Sequence, residues 1–284
     1  MYCIYADRDV AEENGNYDHI FPLALGGTNQ FQVWSDEQLN SRIGTEVDGA
    51  LVSDPLIELA LQNSGVKGHN KRPRTPRWKR STLNGEPIQV TLQKEEILVW
   101  DAKQNRELSK EEISGQEITS ILRIGQHTCL RFVAKVVLAG GYFLYSDEFR
   151  SAVNCDHLRS LVFLDIEQLK TDNTFANCEI KFCDRFHPDS RDASAAGIYR
   201  TLCEYIHRSL FIAIPHHSSI SFHVGVVGAY IGSMIVPAKT DRLPIDGEHD
   251  LGHCIVLGPG NIERTSHRHL LQDFLRAIEE RAND

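Results

Sequence analysis

Apolar and polar positions change their period several times along this chain. Tyr2 and Ile4 predict a short β segment ahead of the polar turn Glu12-Glu13-Asn14-Gly15-Asn16. Tyr17 to Phe21 predicts a second extended segment, stopped by Pro22, which biases Phe21 away from helix. Gly26-Gly27 marks a tight reversal, and Phe31-Gln32-Val33-Trp34 alternates again. Ser35, with Gln38 at the capping-box position, predicts a helix from about Asp36 to Ile43 that Gly44 ends. The order strand, glycine turn, strand, helix is a ββα unit. Pro55 at the first position after Asp54 predicts a further helix to Gln62.

Beyond residue 64 the pattern breaks up. Residues 65–85 are rich in Gly, Pro and charge, and predict an irregular basic linker. Ile88 to Leu92 and Ile97 to Trp100 alternate on either side of Lys94-Glu95-Glu96, a hairpin signal. Asp101 to Gln116 is polar, a connector or an exposed helix. Leu130 to Tyr145 has helical apolar spacing and predicts a central buried helix, weakened or kinked by Gly140-Gly141. Asp147 to Leu161 continues as a second helical piece. Ser209 to Pro215 and Ser219 to Pro237 are strand-like, with Gly228 and Gly232 as turn or bulge points. Residues 254–257 predict another strand, and Thr265 to Arg281 a charged amphipathic helix. The class is α+β: a module at 1–64, a basic linker at 65–85 and a larger α+β region at 86–284.

Composition narrows the setting. The chain has 284 residues, 41% hydrophobic and 24% charged, ordinary values for a globular protein. No run of about 18 uninterrupted apolar residues occurs, so no membrane span is expected. The first residues lack the basic and apolar regions of a secretion signal. Seven scattered cysteines fit a reducing cytoplasm better than a disulfide framework.

The net charge of −9 argues against a protein that coats nucleic acid, yet its distribution is uneven. Residues 1–58 hold eleven acids against Arg8 and Arg42. Lys67, Lys71, Arg72, Arg74, Arg77, Lys79 and Arg80 then follow with no acid between residues 59 and 85. An acidic segment beside a basic one suits a protein that handles phosphodiesters, with the basic residues on the phosphate backbone. A solvated linker is the plainer reading of the same charges.

Hydrolysis of a phosphodiester needs an activated water and charge neutralisation at phosphorus. A histidine with a near-neutral pKa can supply the first, and a divalent ion the second. Asp18 and His19 are neighbours on a strand, so their side chains leave opposite faces, and one can serve metal while the other serves water. The amide oxygen of Asn40 on the next helix can complete the metal shell. Few protein oxygens and several waters suit Mg²⁺ or Mn²⁺.

Asp18-His19-Ile20-x-Pro22-x-x-x-Gly26-Gly27, then Asn29, then Asn40-x-x-x-Gly44-x-x-x-Asp48-Gly49, resembles the HNH endonucleases of the ββα-metal fold over about residues 2–50. The resemblance implies His19 as general base, Asp18 and Asn40 as ligands of one divalent ion, and Asn29 as the residue that orients the base. DNA is the implied partner. Many members carry two CxxC pairs that hold zinc. The corresponding positions here are Cys3-Ile4-Tyr5-Ala6 and Asp36-Glu37-Gln38-Leu39, so no structural zinc is expected and packing through Tyr5, Phe31, Trp34 and Leu39 must replace it. Arg131, Ala134, Lys135, Tyr145 and Leu158-Arg159 resemble, more loosely, the accessory region of such proteins. Arg131 and Lys135 share a helix face and suit either phosphate or an ion pair.

Other clusters are weaker. Glu46 and Asp48 lie near the metal positions but are more often solvated or structural at a helix end. Cys178, Cys183 and His187 are spaced too loosely for a zinc site, His249 and His253 sit in a glycine-rich loop, and Gly225 to Gly232 lacks a phosphate-loop lysine. The sequence thus favours a metal-dependent DNA endonuclease. Its alternatives are a catalytically decayed module that binds nucleic acid or protein, and a latent effector nuclease triggered through residues 86–284. A second copy or a regulatory partner stays open.

Overall fold

The computed structural model describes residues 1–66, 74–94, 96–165, 179–186, 191–243 and 253–283. Strand β1 (Tyr2–Cys3) pairs with β2 (Arg8–Asp9). Strand β3 (Gly15–His19) pairs antiparallel with β4 (Gln32–Asp36), setting His19 opposite Gln32. Helix α1 (Glu37–Ile43) follows without a loop. Its N-cap is Asp36 rather than Ser35. Asp36 Oδ1 accepts from the Gln38 and Leu39 amides at 3.1 and 3.2 Å, while Ser35 is wholly buried on the strand.

The α-helix ends at Ile43 with Gly44 as its C-cap, as predicted, but without a left-handed turn. Gly44 keeps right-handed helical angles, φ −56° and ψ −37°, so the left-handed stop expected of it is not used. A π-helical turn, Gly44–Asp48, carries the chain on into α2 (Gly49–Val52), and Val47 and Asp48 of that turn are buried. Helix α3 (Pro55–Ser64) begins as the sequence predicts, with Asp54 Oδ1 accepting from the Leu56 and Ile57 amides, and Gly65 ends it at φ +71°.

The latter part of the expected linker is regular, in Arg77–Leu83. Strand β5 (Arg77–Leu83) joins β6 (Glu86–Leu92), β7 (Ile97–Asp101), β8 (Arg106–Glu107) and, after the short helix α4 (Lys110–Ile113), β9 (Ile118–Ser120). They form an antiparallel sheet in the order β8-β7-β6-β5-β9. Its own small core is Ile88, Val90 and Val99, with Trp78, Leu83, Leu92, Leu108 and Ile113 against them. Strand β5 escapes a pattern search because only one of its faces is buried and the other carries Arg77.

Helix α5 (Gln126–Ala152) is the centre of the main core, with Phe132, Val133 and Ala134, and then Val136 to Ala139, fully buried. The expectation that no stretch could span a membrane needs adjusting. Residues His127–Ala152 are long and apolar enough by length and composition, and 67% of their most apolar window is buried inside this fold. Gly140-Gly141 does not kink the helix. A Cβ on Gly140 would lie 2.6 Å from the Phe211 ring and one on Gly141 2.4 Å from the Phe149 ring, so both glycines let aromatic rings approach. The break falls at Ser146, φ 52° and ψ −127°. Helix α6 (Cys155–Val162) packs back on α5.

The remaining chain builds a six-stranded antiparallel sheet from β10 (Lys181–Asp184), β11 (Leu210–Pro215), β12 (Ser219–Val226), β13 (Ala229–Pro237), β14 (His253–Leu257) and β15 (Ile262–Ser266), ordered β10-β13-β12-β11-β14-β15. One face meets α5 through Phe211, Phe222 and Met234. The other meets α7 (Arg191–Ile206) and α8 (His267–Asn283) through Leu202, Ile212, Ile214 and Phe274. Gly228, at φ +89°, turns β12 into β13 as predicted, and the register shifts at Val224/Gly225.

A single core joins the first 61 residues to α5 and this sheet. Phe21 and Phe31 stack at 6.1 Å, Phe21 meets Phe132, and Phe31 meets Phe143 and Phe211. Tyr5, Phe31, Trp34 and Leu39 all pack into it, as expected of a hairpin held by side chains. Cys3 is buried beside them and accepts from the Asp36 amide at 3.4 Å.

Candidate catalytic site

The loop between β3 and β4 is set by two glycines. Gly26 sits at φ +80°, and a Cβ on Gly27 would lie 1.7 Å from the Phe21 carbonyl oxygen. Gly27 and Leu25 both donate to the Pro22 carbonyl, at 3.0 and 2.8 Å. The reversal brings Asn29 back alongside the end of β3. There His19 Nε2 lies 2.8 Å from Asn29 Oδ1 and 2.9 Å from Gln32 Nε2. Asn29 Oδ1 accepts from this nitrogen when it carries the proton, and Gln32 Nε2 donates to it when it does not. In the tautomer with the proton on Nε2, the Nδ1 lone pair makes no hydrogen bond among the described residues and can take a proton from water. Gln32 carries no motif signal of its own, although hairpin register alone sets it opposite His19.

Asp18 leaves the other face of β3 and is 4% exposed. Tyr5 donates to its Oδ2 at 2.7 Å, and Lys135 Nζ from α5 lies 3.3 Å from the same oxygen. Lys135, wholly buried, also donates to the His19 carbonyl at 2.7 Å and to Asp48 at 3.0 and 3.2 Å. One ammonium thus ties the strand that carries His19, its neighbour Asp18 and the π turn that carries Asp48. It is an ion pair rather than a phosphate contact. Arg131 on the same helix is likewise paired, with Glu46 at 3.0 Å, and donates to the Val162 carbonyl at 2.9 Å. Glu46 also meets Arg42.

Two carboxylates against one ammonium leave a buried negative charge. Burial pushes the Asp48 carboxyl up to about 6, against the pull of Lys135. Burial draws the Lys135 ammonium down, but Asp18 and Asp48 outweigh it and hold the pKa above the ordinary lysine value. Burial, with the Asp18 charge second, pushes the Tyr5 phenol well up, so it remains a donor.

Asn40 on α1 donates through Nδ2 to Asn16 Oδ1 at 2.6 Å and to the Tyr17 carbonyl at 3.4 Å. That use of the NH₂ group leaves its amide oxygen as an acceptor. Asp18 likewise has its named contacts on Oδ2, with Oδ1 accepting no hydrogen bond among the described residues. By donor type alone, one carboxylate oxygen and one amide oxygen suit a hydrated Mg²⁺ or Mn²⁺, while no group of three or more His, Cys, Asp or Glu side chains among the described residues is gathered as a metal site. The Lys135 ammonium would compete with such an ion for Asp18.

Of the basic residues, Lys67, Lys71 and Arg72 lie outside the described residues. So do Cys178, His187 and His249. Arg74 is half-buried near Glu58. Arg77, Lys79 and Arg80 are exposed on β5 and make no ion pair among the described residues. Three other cations of the small sheet are matched: Lys103 with Glu86, Arg106 with Glu112 and Lys110 with Glu96. Unmatched positive charge therefore gathers on β5. Gln62 of α3 donates to the Leu92 carbonyl at 2.7 Å and fastens this sheet to the N-terminal helices. No protein-family model matches the chain, and no curated protein or solved structure matches it either.

Proposed function

We propose that the chain is a metal-dependent endonuclease that hydrolyses DNA phosphodiesters, acting in the cytoplasm. The observation that carries this reading is the pairing of His19 Nε2 with Asn29 beside the acid Asp18. Asn29 holds the Nε2 proton, and Nδ1 deprotonates the attacking water. Lys135 fixes the strand by its bond to the His19 carbonyl. Asp18 and Asn40 would hold Mg²⁺ or Mn²⁺, which when bound supplies positive charge to the scissile phosphate. Arg77, Lys79 and Arg80 give the DNA backbone a run of unmatched cations, at some cost in affinity as salt rises.

Supercoiled plasmid incubated with Mg²⁺ or Mn²⁺, with and without chelator, tests the proposal. His19→Ala is expected to lower nicking by about 10²–10⁴-fold, the contribution of a general base, with the far-UV circular dichroism unchanged. Nicking at the wild-type rate in that variant would remove His19 from the mechanism.

A second reading has its own support in the Lys135 ammonium lying 3.3 Å from Asp18. On that reading the site has lost its metal, and the protein binds nucleic acid without cutting it. Binding of plasmid with no metal-dependent nicking would favour it.

A further inference from the structure

The six-stranded sheet carries a polar patch on a face that is otherwise apolar. Across β11, β12 and β13, Ser221 stands between Ile214 and Ile235, and His223 between Ile212 and Ser233. Residues two apart on a strand share a face, so Ser221, His223 and Ser233 point to the same side, away from the Phe222 and Met234 side that packs on α5. A cavity of about 240 Å³ opens over them, between the sheet and Tyr199 of α7.

Three features describe its ligand. The cavity is smaller than the roughly 300–1,000 Å³ of drug-sized sites, enough to enclose one ring system with the rest of the molecule outside. Its floor is neutral: Ser221 Oγ lies 2.8 Å from His216 Nε2, Ser233 bonds to Tyr230, and the buried His223 Nδ1 has no hydrogen-bond partner among the described residues. Burial pushes the His223 imidazole well below the ordinary histidine value, so it presents an N–H and a lone pair without charge. The Tyr199 ring stacks on it at 3.4 Å and is steadied by His267 Nε2, 3.0 Å from the phenol oxygen. The rim, in contrast, is cationic or neutral. Lys181 and His216 are exposed there, and no acid among the described residues lines the cavity.

Nucleophilic chemistry does not suit the arrangement. Cys183 and His223 sit on β10 and β12 with β13 between them, a separation of roughly 9–10 Å from strand spacing alone. The site is built to bind.

We propose that this cavity binds a nucleoside 5′-monophosphate, with the base enclosed beside Tyr199, its polar edge on Ser221, His223 and Ser233, and its phosphate at the rim on Lys181 and His216. A heteroaromatic base can give the buried His223 Nδ1 the partner it lacks among the described residues, and the phosphate meets Lys181, which makes no ion pair among them. The proposal does not depend on the nuclease reading.

Calorimetric titration of the full chain with AMP, GMP, CMP and UMP tests it, with adenosine, inorganic phosphate and benzoate alongside. At least one nucleotide is expected to bind ten or more times tighter than each of those three. Lys181→Glu, at an exposed position, is expected to weaken that nucleotide at least tenfold and to leave adenosine unchanged. Ser233→Leu fills the cavity and is expected to abolish both; should it fail to fold, Lys181→Glu still decides. Benzoate or phosphate binding as tightly as every nucleotide, or Lys181→Glu binding like wild type, would overturn the assignment. His19→Ala keeps the nucleotide site, so loss of nicking and loss of binding are separate results.

Discussion

Replacing Lys135 by Met removes the ammonium that Asp18 and Asp48 share while keeping the helix-forming chain and most of its volume. At 3.0 and 3.3 Å the two attractions are each about 5 kcal/mol at an effective dielectric constant of 20. The cost of burying the charges cancels part of this, and removing one partner of a buried pair typically costs about 3–5 kcal/mol. Against a total stability of about 5–15 kcal/mol, that loss is a large share of what holds the chain folded. The deficit should also depend on pH. Asp48 titrates at about 6 in the folded protein, above its unfolded value, so the folded state holds that proton more tightly. Its stabilising contribution is full below about pH 4 and is lost as pH rises through 6. Without Lys135 the Asp48 carboxyl is pushed higher still, so the variant should be closest to wild type near pH 5 and furthest from it near pH 7.5. Urea unfolding followed by circular dichroism at both pH values measures this. A deficit under about 1 kcal/mol at pH 7.5, or one equal at the two pH values, would refute the charge-balance argument.

Further outcomes follow from the same network and its loop. Asp48→Asn keeps an acceptor for Lys135 and removes the surplus charge, so unfolding curves should show stability held or raised at pH 7.5, and its change between pH 4 and 6 flattened. Asn29→Ala should reduce plasmid nicking roughly tenfold or more, the effect of leaving the base unoriented, while the melting temperature moves little; an unchanged rate would free Asn29 of any role. Gly27→Ala must displace the Phe21 carbonyl from 1.7 Å, and thermal melts should show destabilisation of about 1–3 kcal/mol or more, as for overpacking.

The sequence displayed best what short-range physics decides. The N-cap and N1 proline of α3, the β6–β7 hairpin and the apolar run of α5 all lie where their patterns predict. Features that depend on distant partners were hidden. Gly140-Gly141 reads as a helix defect until Phe211, some seventy residues on, is packed against it. Helix α7 does carry helical spacing on its covered face, in Ala196, Tyr199, Leu202, Cys203 and Ile206, whereas strand β10 is only four residues long and too short for a pattern. Arg77 to Leu83 looks like linker because its exposed side is basic. At the site, His19 and Asn29 are readable from the turn between them, and Gln32 from hairpin register. Lys135 is not, since nothing local announces that a lysine 116 residues away will donate to the His19 carbonyl.

That last bond also sets an order of assembly. A chain is made from its N-terminus, and contacts distant in sequence form only when both ends exist. The hairpin that carries His19 emerges before α5 and the later sheet, yet its buried acid, its carbonyl and the rings of Phe21 and Phe31 find their partners in them. Until residue 135 has been synthesised, Asp18 has no ammonium to meet. The hairpin is therefore translated ahead of the elements that complete it, and excised from them it would lack the interior that gives the site its shape.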